Sequence, residues 1–117
     1  MTLFCYPKCS TCKKAQAYLS ARGISYSYRN IKDDPPSLAE LSDFVQRSHL
    51  TLQRFFNTSG QQYRNLGLSK IIQGMDTPQL LALLAGDGML IKRPLLVDEH
   101  FVLVGFKQEQ WDEVLLK

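Results

Sequence analysis

Thr2–Asn30 reads TLFCYPKCSTCKKAQAYLSARGISYSYRN, and its pattern decides the fold. Thr2–Tyr6 is short, apolar and β-prone, and Pro7 ends it, which predicts a buried first strand. Ser10–Arg22 follows as a helix, with Ala15, Tyr18, Leu19 and, more loosely, Cys12 on one face and Gly23 as the stop signal. Ile24–Arg29 alternates and is rich in Tyr and Ser, which predicts a second strand. A β-α-β unit of this kind requires a right-handed parallel crossover.

Beyond it, Lys32–Pro36 (KDDPP) breaks regular structure. Ser37, with Glu40 three residues on, reads as a capping box for a helix striped by Leu38, Leu41, Phe44 and Val45. The middle is less regular. Leu52–Phe56 suggests a helical turn, Asn57–Gly60 (NTSG) a loop, and Leu68–Gln73 and Thr77–Ala85 short helices. Thr77 reads as the cap of the last, with Pro78 at its first position and Gly86-Asp87-Gly88 stopping it. Leu95–Val97 and Phe101–Phe106 are β-rich around Asp98-Glu99-His100, a hairpin. Gln108–Leu116 closes the chain as a helix with Trp111, Val114 and Leu115 inward. The order β-α-β, helical middle, β-β-α predicts an α/β architecture with a mixed sheet of about four strands.

At 117 residues with 44% hydrophobic and 21% charged side chains, the chain is sized for a single domain spanning 1–117. No apolar run reaches the ~18 residues a membrane span needs. The opening MTLFCYPKCS brings charge and proline at once, unlike a signal peptide, so a cytoplasmic location and no membrane partner are expected. A net charge of +3 is too mild to imply direct nucleic-acid binding. Within residues 1–32, however, Lys8, Lys13, Lys14, Arg22, Arg29 and Lys32 stand without any acid. That field favours a thiolate or an anionic partner; a merely solvated basic face is equally consistent with it.

There are three cysteines, Cys5, Cys9 and Cys12. An odd number in a cytosolic chain argues against a disulfide framework. The Cys9-x-x-Cys12 spacing at a strand-to-helix junction reads as a redox pair. Cys9 falls at or beside the helix N-cap, where unpaired N–H groups and the helix dipole favour a thiolate, with Lys8 and Lys13 adjacent. Cys12 is one turn in, within disulfide reach but with less access to those N–H groups. Hence Cys9 is the expected nucleophile and Cys12 the resolving thiol. Half a zinc site is the competitor, but Cys5, His49 and His100 supply no second ligand pair. Cys5, inside the first strand, reads as a small core residue. In Ile91–Val97 (IKRPLLV), Pro94 is tolerated at a strand start, and Arg93 by itself reads as a surface residue.

Together, CYPKCSTCKKA (Cys5–Ala15), NTSGQQYRNLGL (Asn57–Leu68), LLAGDGMLIKRPLLV (Leu83–Val97) and VGFKQEQW (Val104–Trp111) resemble the arsenate reductase-related (ArsC/Spx-like) branch of thioredoxin-fold proteins. The match runs in order from Thr2 to Trp111. It is nearest to the small CxxC-containing arsenate reductase-like proteins. The resemblance implies a thioredoxin-like sheet with a helical insertion between the second and third strands, here about residues 37–90. It also implies a cis bond before Pro94, with Arg93 brought near Cys9. Glutathione- and glutaredoxin-dependent arsenate reductases have Ser at Cys12, Arg at Lys13 and three oxyanion-binding arginines. Of the three, only Arg93 is matched; the others fall at or near Asn57 and at Phe106 or Lys107.

The resemblance thus implies a cytosolic thiol–disulfide oxidoreductase or arsenate reductase-like reductase. Cys9, Cys12 and Arg93 would be its catalytic residues, and Lys8, Lys13, Asn57, Pro94 and Lys107 its substrate-binding ones. Electrons travelling as thiols require no metal or organic cofactor, only a co-substrate such as glutathione or thioredoxin, or a thiol/disulfide partner protein. The alternative it implies is an Spx-like redox-sensing transcriptional regulator that binds the RNA polymerase α subunit. Such regulators carry a longer basic C-terminal extension, whereas this sequence ends at Lys117 after the last helix.

Overall fold

The computed structural model describes residues 1–116, the side chain of Gln62 left aside. Strands β1 (Thr2–Cys5), β2 (Ser27–Asn30), β3 (Leu95–Val97) and β4 (Val102–Val104) form one sheet in the order β2-β1-β3-β4. β1 pairs with β2 in parallel and with β3 antiparallel, and β3 pairs antiparallel with β4. This is the mixed four-stranded sheet the sequence predicts. Helices α1 (Ser10–Ala21), α2 (Leu38–Ser48), α3 (Gln61–Asn65), α4 (Leu68–Ile71), α5 (Thr77–Gly86) and α6 (Gln108–Leu115) surround it, with short 3₁₀ turns at Leu52–Phe55, Ile72–Gly74 and Gly88–Leu90. No described helix is long and apolar enough to cross a membrane.

The strand period of two divides the core. Leu3 and Cys5 of β1 face α1 and α6, packing with Cys12, Ala15, Leu19 and Trp111. Phe4 faces the opposite way, toward the helices between β2 and β3, and packs with Phe44, Phe55, Phe56, Leu84 and Ile91. On the α1 side Tyr18, Phe106 and Trp111 meet edge to face, with ring centroids 4.8–5.7 Å apart. The Trp111 indole N–H donates to the Gly105 carbonyl at 3.1 Å, so the fully buried ring leaves no polar atom unpaired.

Several boundaries move from their predicted places, each for a local reason. β2 starts at Ser27 rather than Ile24, because the Ile24 N–H caps α1 by donating to the Leu19 carbonyl (3.0 Å), with Gly23 at φ +66°. α5 is capped by Asp76, not Thr77: its carboxylate accepts the Gln79 N–H (3.0 Å) and the Gln79 side chain accepts the Asp76 N–H (3.0 Å). The NTSG loop passes into α3, which has no apolar stripe and is held by the buried Tyr63 against Phe56. β4 ends at Val104, because Gly105 turns at φ +77° and its N–H donates to the Pro94 carbonyl (2.8 Å). Leu38 and Val114, predicted inward, are 51% and 37% exposed. Each lies just off its helix's buried arc, which Leu41 and Phe44 define on α2 and Trp111 on α6.

Candidate redox site

Cys9 is the N-cap of α1. Its backbone is extended (φ −89°, ψ 119°), and its Sγ accepts the Cys12 N–H at 3.4 Å. The Cys9 N–H donates to the Tyr6 carbonyl (3.0 Å) and the Lys13 N–H to the Cys9 carbonyl (3.1 Å), so the turn from β1 into α1 fixes where the sulfur points. Cys9 is half-buried, whereas Cys12 and Cys5 are fully buried; all three are free thiols. Of the three thiols, Cys9 is the one that reaches solvent.

Cys5 of β1 and Cys12 of α1 are buried together in the cluster beneath Cys9. Interaction with Cys5 holds the Cys12 thiol down to about 6, against the opposing effect of burial; the Tyr6 backbone, Cys9 and the Arg93 guanidinium act in the same direction. Cys5 is pushed far up by its interaction with Cys12, by burial and by Cys9. The sequence places the favoured thiolate at Cys9 and gives Cys12 the poorer surroundings. In the structure a strong downward shift falls on Cys12, through a strand residue that the sequence shows only as core.

Beside Cys9 lies an open cavity of about 480 Å³. Among the described residues four cations line it, Arg54, Lys92, Arg93 and Lys107, and no carboxylate does. Asn57, Phe106 and Gln110 complete its polar and aromatic wall. Arg93 is half-buried: its Nη1 donates to the Met89 carbonyl (3.3 Å) and its guanidinium stands 5.5 Å from the Tyr6 ring centre. Its Nε is buried without a hydrogen-bond partner among the described residues, a donor free for an anion. The Arg93–Pro94 bond is cis, and Pro94 is buried. Lys107 is the N-cap of α6. At Gly105 a Cβ would stand 3.0 Å from the Lys92 side chain, so the glycine leaves that lysine room at the rim.

Of the residues predicted from sequence, Cys9, Arg93, Asn57 and Lys107 come together around this cavity. Cys12 lies behind Cys9 and Pro94 beneath Arg93, while Lys8 and Lys13 are exposed and do not line it. Arg54 and Lys92 line it without having been singled out as binding residues. A long-range pairing puts Arg54 there: the Lys92 N–H donates to the Phe55 carbonyl and the Asn57 N–H to the Leu90 carbonyl, both at 2.7 Å. A Phe56–Ile91 bridge lies between them. A weak local signal exists, since Leu52, Phe55 and Phe56 are apolar and leave Arg54 outward. Among the described residues no three of His, Cys, Asp and Glu are grouped to hold a metal ion.

Known proteins share this fold. The family model described as ArsC family matches residues 4–114. The solved structure of an ArsC-family-related protein from Bacteroides fragilis superimposes with a TM-score of 0.94 at 46% identity, covering 97% of this chain and 95% of that one. That of a possible arsenate reductase from Streptococcus mutans gives 0.87 at 43% identity, over 95% and 96%. The global transcriptional regulator Spx of Listeria innocua is 27% identical over 94% of this chain and 82% of its own length. The fold is therefore the thioredoxin-like α/β fold of these proteins.

Proposed function

The chain belongs to the ArsC family, and from that premise we propose that it is a cytosolic thiol-dependent reductase of anionic disulfides, of the glutathione mixed-disulfide kind. The observation that carries this is the half-buried Cys9 at a helix N-terminus, opening onto a cavity lined, among the described residues, by four cations and no acid. In the first step the Cys9 thiolate attacks one sulfur of R–S–S–R′. The Cys9–S–R bond forms and R′S⁻ leaves. In the second, the Cys12 thiolate attacks Cys9 Sγ, RS⁻ leaves, and the Cys9–Cys12 disulfide forms. The two electrons gained by the substrate sulfurs are those lost by the cysteine pair, and an external thiol such as glutathione or thioredoxin restores it. Arg93 holds the substrate anion and adds positive potential at the sulfurs; Asn57 and Lys107 bound the anion's place, and Pro94 shapes the face beneath.

Arsenate is a poorer fit. A small oxyanion needs several fixed cations around it for attack. Here only Arg93 is half-buried and braced, while Arg54, Lys92 and Lys107 are exposed. Two unfixed charge-assisted contacts at about 1.5–3 kcal/mol each predict at least about a hundredfold preference for the disulfide. A paired assay with arsenate and with a glutathione mixed disulfide, using glutathione or thioredoxin as donor, tests this. Turnover of the disulfide alone is expected; comparable arsenate turnover overturns it. The likeness to Spx favours a second reading, a redox-sensing regulator that contacts RNA polymerase α. No turnover of either substrate together with tight α-subunit binding would select it.

A further inference from the structure

Two cavities of the molecule treat charge differently. The one on the Phe4 side, about 370 Å³, is lined by Arg29 and Arg47, and each is answered by a carboxylate: Arg29 by Glu40 at 2.7 Å and Arg47 by Asp43 at 3.0 Å. The one beside Cys9 is lined by Arg54, Lys92, Arg93 and Lys107, and among the described residues none of these forms an ion pair. Asn57 and Gln110 in the same wall are uncharged. Like charges held around one space repel one another, and an anion placed between them relieves that repulsion. An ammonium group meets the opposite: among the described residues the wall has no carboxylate to receive it.

These observations rank the disulfides that the proposed function admits. We propose that the half of the disulfide retained on Cys9 is a small polyanionic thiol, carrying a phosphate or several carboxylates and no ammonium group. This rests on Cys9 as the attacking thiol. Glutathione carries an ammonium beside its carboxylates, so it is accepted but not preferred. At about 480 Å³ the cavity is of a size that takes a small molecule. The buried Arg93 Nε, without a hydrogen-bond partner among the described residues, offers the anion a fixed donor. The exposed Arg54, Lys92 and Lys107 surround it as long, adaptable side chains. Here the anion is an anchor and not the reacting group, so cations held too loosely to fix arsenate for attack still serve.

The test follows release of the coloured aryl thiolate from mixed disulfides of thionitrobenzoate with a series of thiols RSH. The reduced full chain reacts in a single turnover: Cys9 attacks the sulfur of R, the Cys9–S–R bond forms, and thionitrobenzoate leaves with the electron pair of the broken S–S bond. Two pairs of thiols differ in little but charge. Phosphopantetheine adds a phosphate to pantetheine, and N-acetylglutathione removes the ammonium of glutathione. The phosphate is expected to raise the second-order rate about tenfold or more at low salt, and loss of the ammonium severalfold. Both gains shrink as salt is raised. Lys92→Gln and Lys107→Gln should each cut the gain from the phosphate, and the larger of the two gains tells phosphate from carboxylate. Equal rates within either pair overturn the proposal, as does a gain that neither salt nor these substitutions reduce. Calorimetric binding of S-methyl phosphopantetheine against S-methyl pantetheine requires no turnover and is expected to favour the phosphate form in the same way. No preference there overturns the proposal whatever the disulfide assay shows, whereas release from none of the disulfides overturns the reductase reading itself.

Discussion

The two faces of the sheet do different work by different means. On one, β1, α1 and α6 enclose Cys5, Cys12 and Trp111, and the geometry is set by residues close in sequence: a short strand, a turn and a cap. On the other, the helices between β2 and β3 cover Phe4 with short pieces joined by long-range contacts, of which the Phe56–Ile91 bridge matters most for the site. The first face supplies the sulfurs. The second, through Arg54, Asn57 and the Lys92–Pro94 segment, supplies most of the charge around them. On the proposed function, reactivity is locally encoded and recognition is not, which predicts that substitutions on the two sides fail differently.

The largest effect should come from Cys9→Ser, which removes the attacking sulfur and is expected to drop disulfide turnover to background without unfolding the chain. Cys12→Ser in the same assay should instead accumulate mixed disulfides on Cys9, visible by mass spectrometry. Next come two stability losses, one on each face. Trp111→Ala empties the core around α6 and should destabilise by about 3–5 kcal/mol in urea unfolding. Gly88→Ala puts a Cβ 1.7 Å from the Ile31 carbonyl, a backbone clash that should cost about 1–3 kcal/mol or more and loosen the approach to Lys92 and Arg93. If turnover survives Gly88→Ala at full affinity, the insertion does not position the cations.

Arg93→Ala should raise KM for an anionic disulfide by about ten- to a hundredfold, through loss of one partly desolvated charge-assisted contact. Arg54→Ala, at an exposed cation, should raise it only severalfold, and less still in high salt. Equal effects from the two would remove the distinction between a braced and a solvated cation. The smallest effect is expected at the Arg29–Glu40 pair joining β2 to α2, at 2.7 Å. Arg29 holds the Glu40 carboxyl below the usual carboxylate range. Its contribution is thus present above that range and lost as pH falls through the lowered value. Glu40 is partly exposed, so Glu40→Gln should cost under about 1 kcal/mol at neutral pH and nothing in strong acid.

The contrast between the faces also explains what was legible in the sequence. The β1–α1 junction, the Ser37–Glu40 capping box, the closing hairpin and the mixed sheet follow from caps, breakers and apolar periods, all of them local. α3 was missed because one tyrosine anchors it in place of a stripe. Arg54 could not be placed because its position depends on backbone pairing between residues some 35 apart, Phe55 to Lys92 and Asn57 to Leu90. The cis bond before Pro94 and the nearness of Arg93 to Cys9 came from family resemblance, not from the residues themselves. Cys5 was read as core, which it is. Its burial in one cluster with Cys12 joins a strand to a helix, and spacing along the chain does not reveal it.

The central claim is that Cys9 and Cys12 form a redox pair entered through Cys9. It is tested most directly by reacting the reduced protein with one equivalent of glutathione disulfide at neutral pH and mapping every cysteine by peptide mass spectrometry over time. The account predicts glutathione on Cys9 first, then a Cys9–Cys12 disulfide with Cys5 still a free thiol. Glutathione appearing first on Cys5 or Cys12, or a final disulfide that includes Cys5, would contradict it.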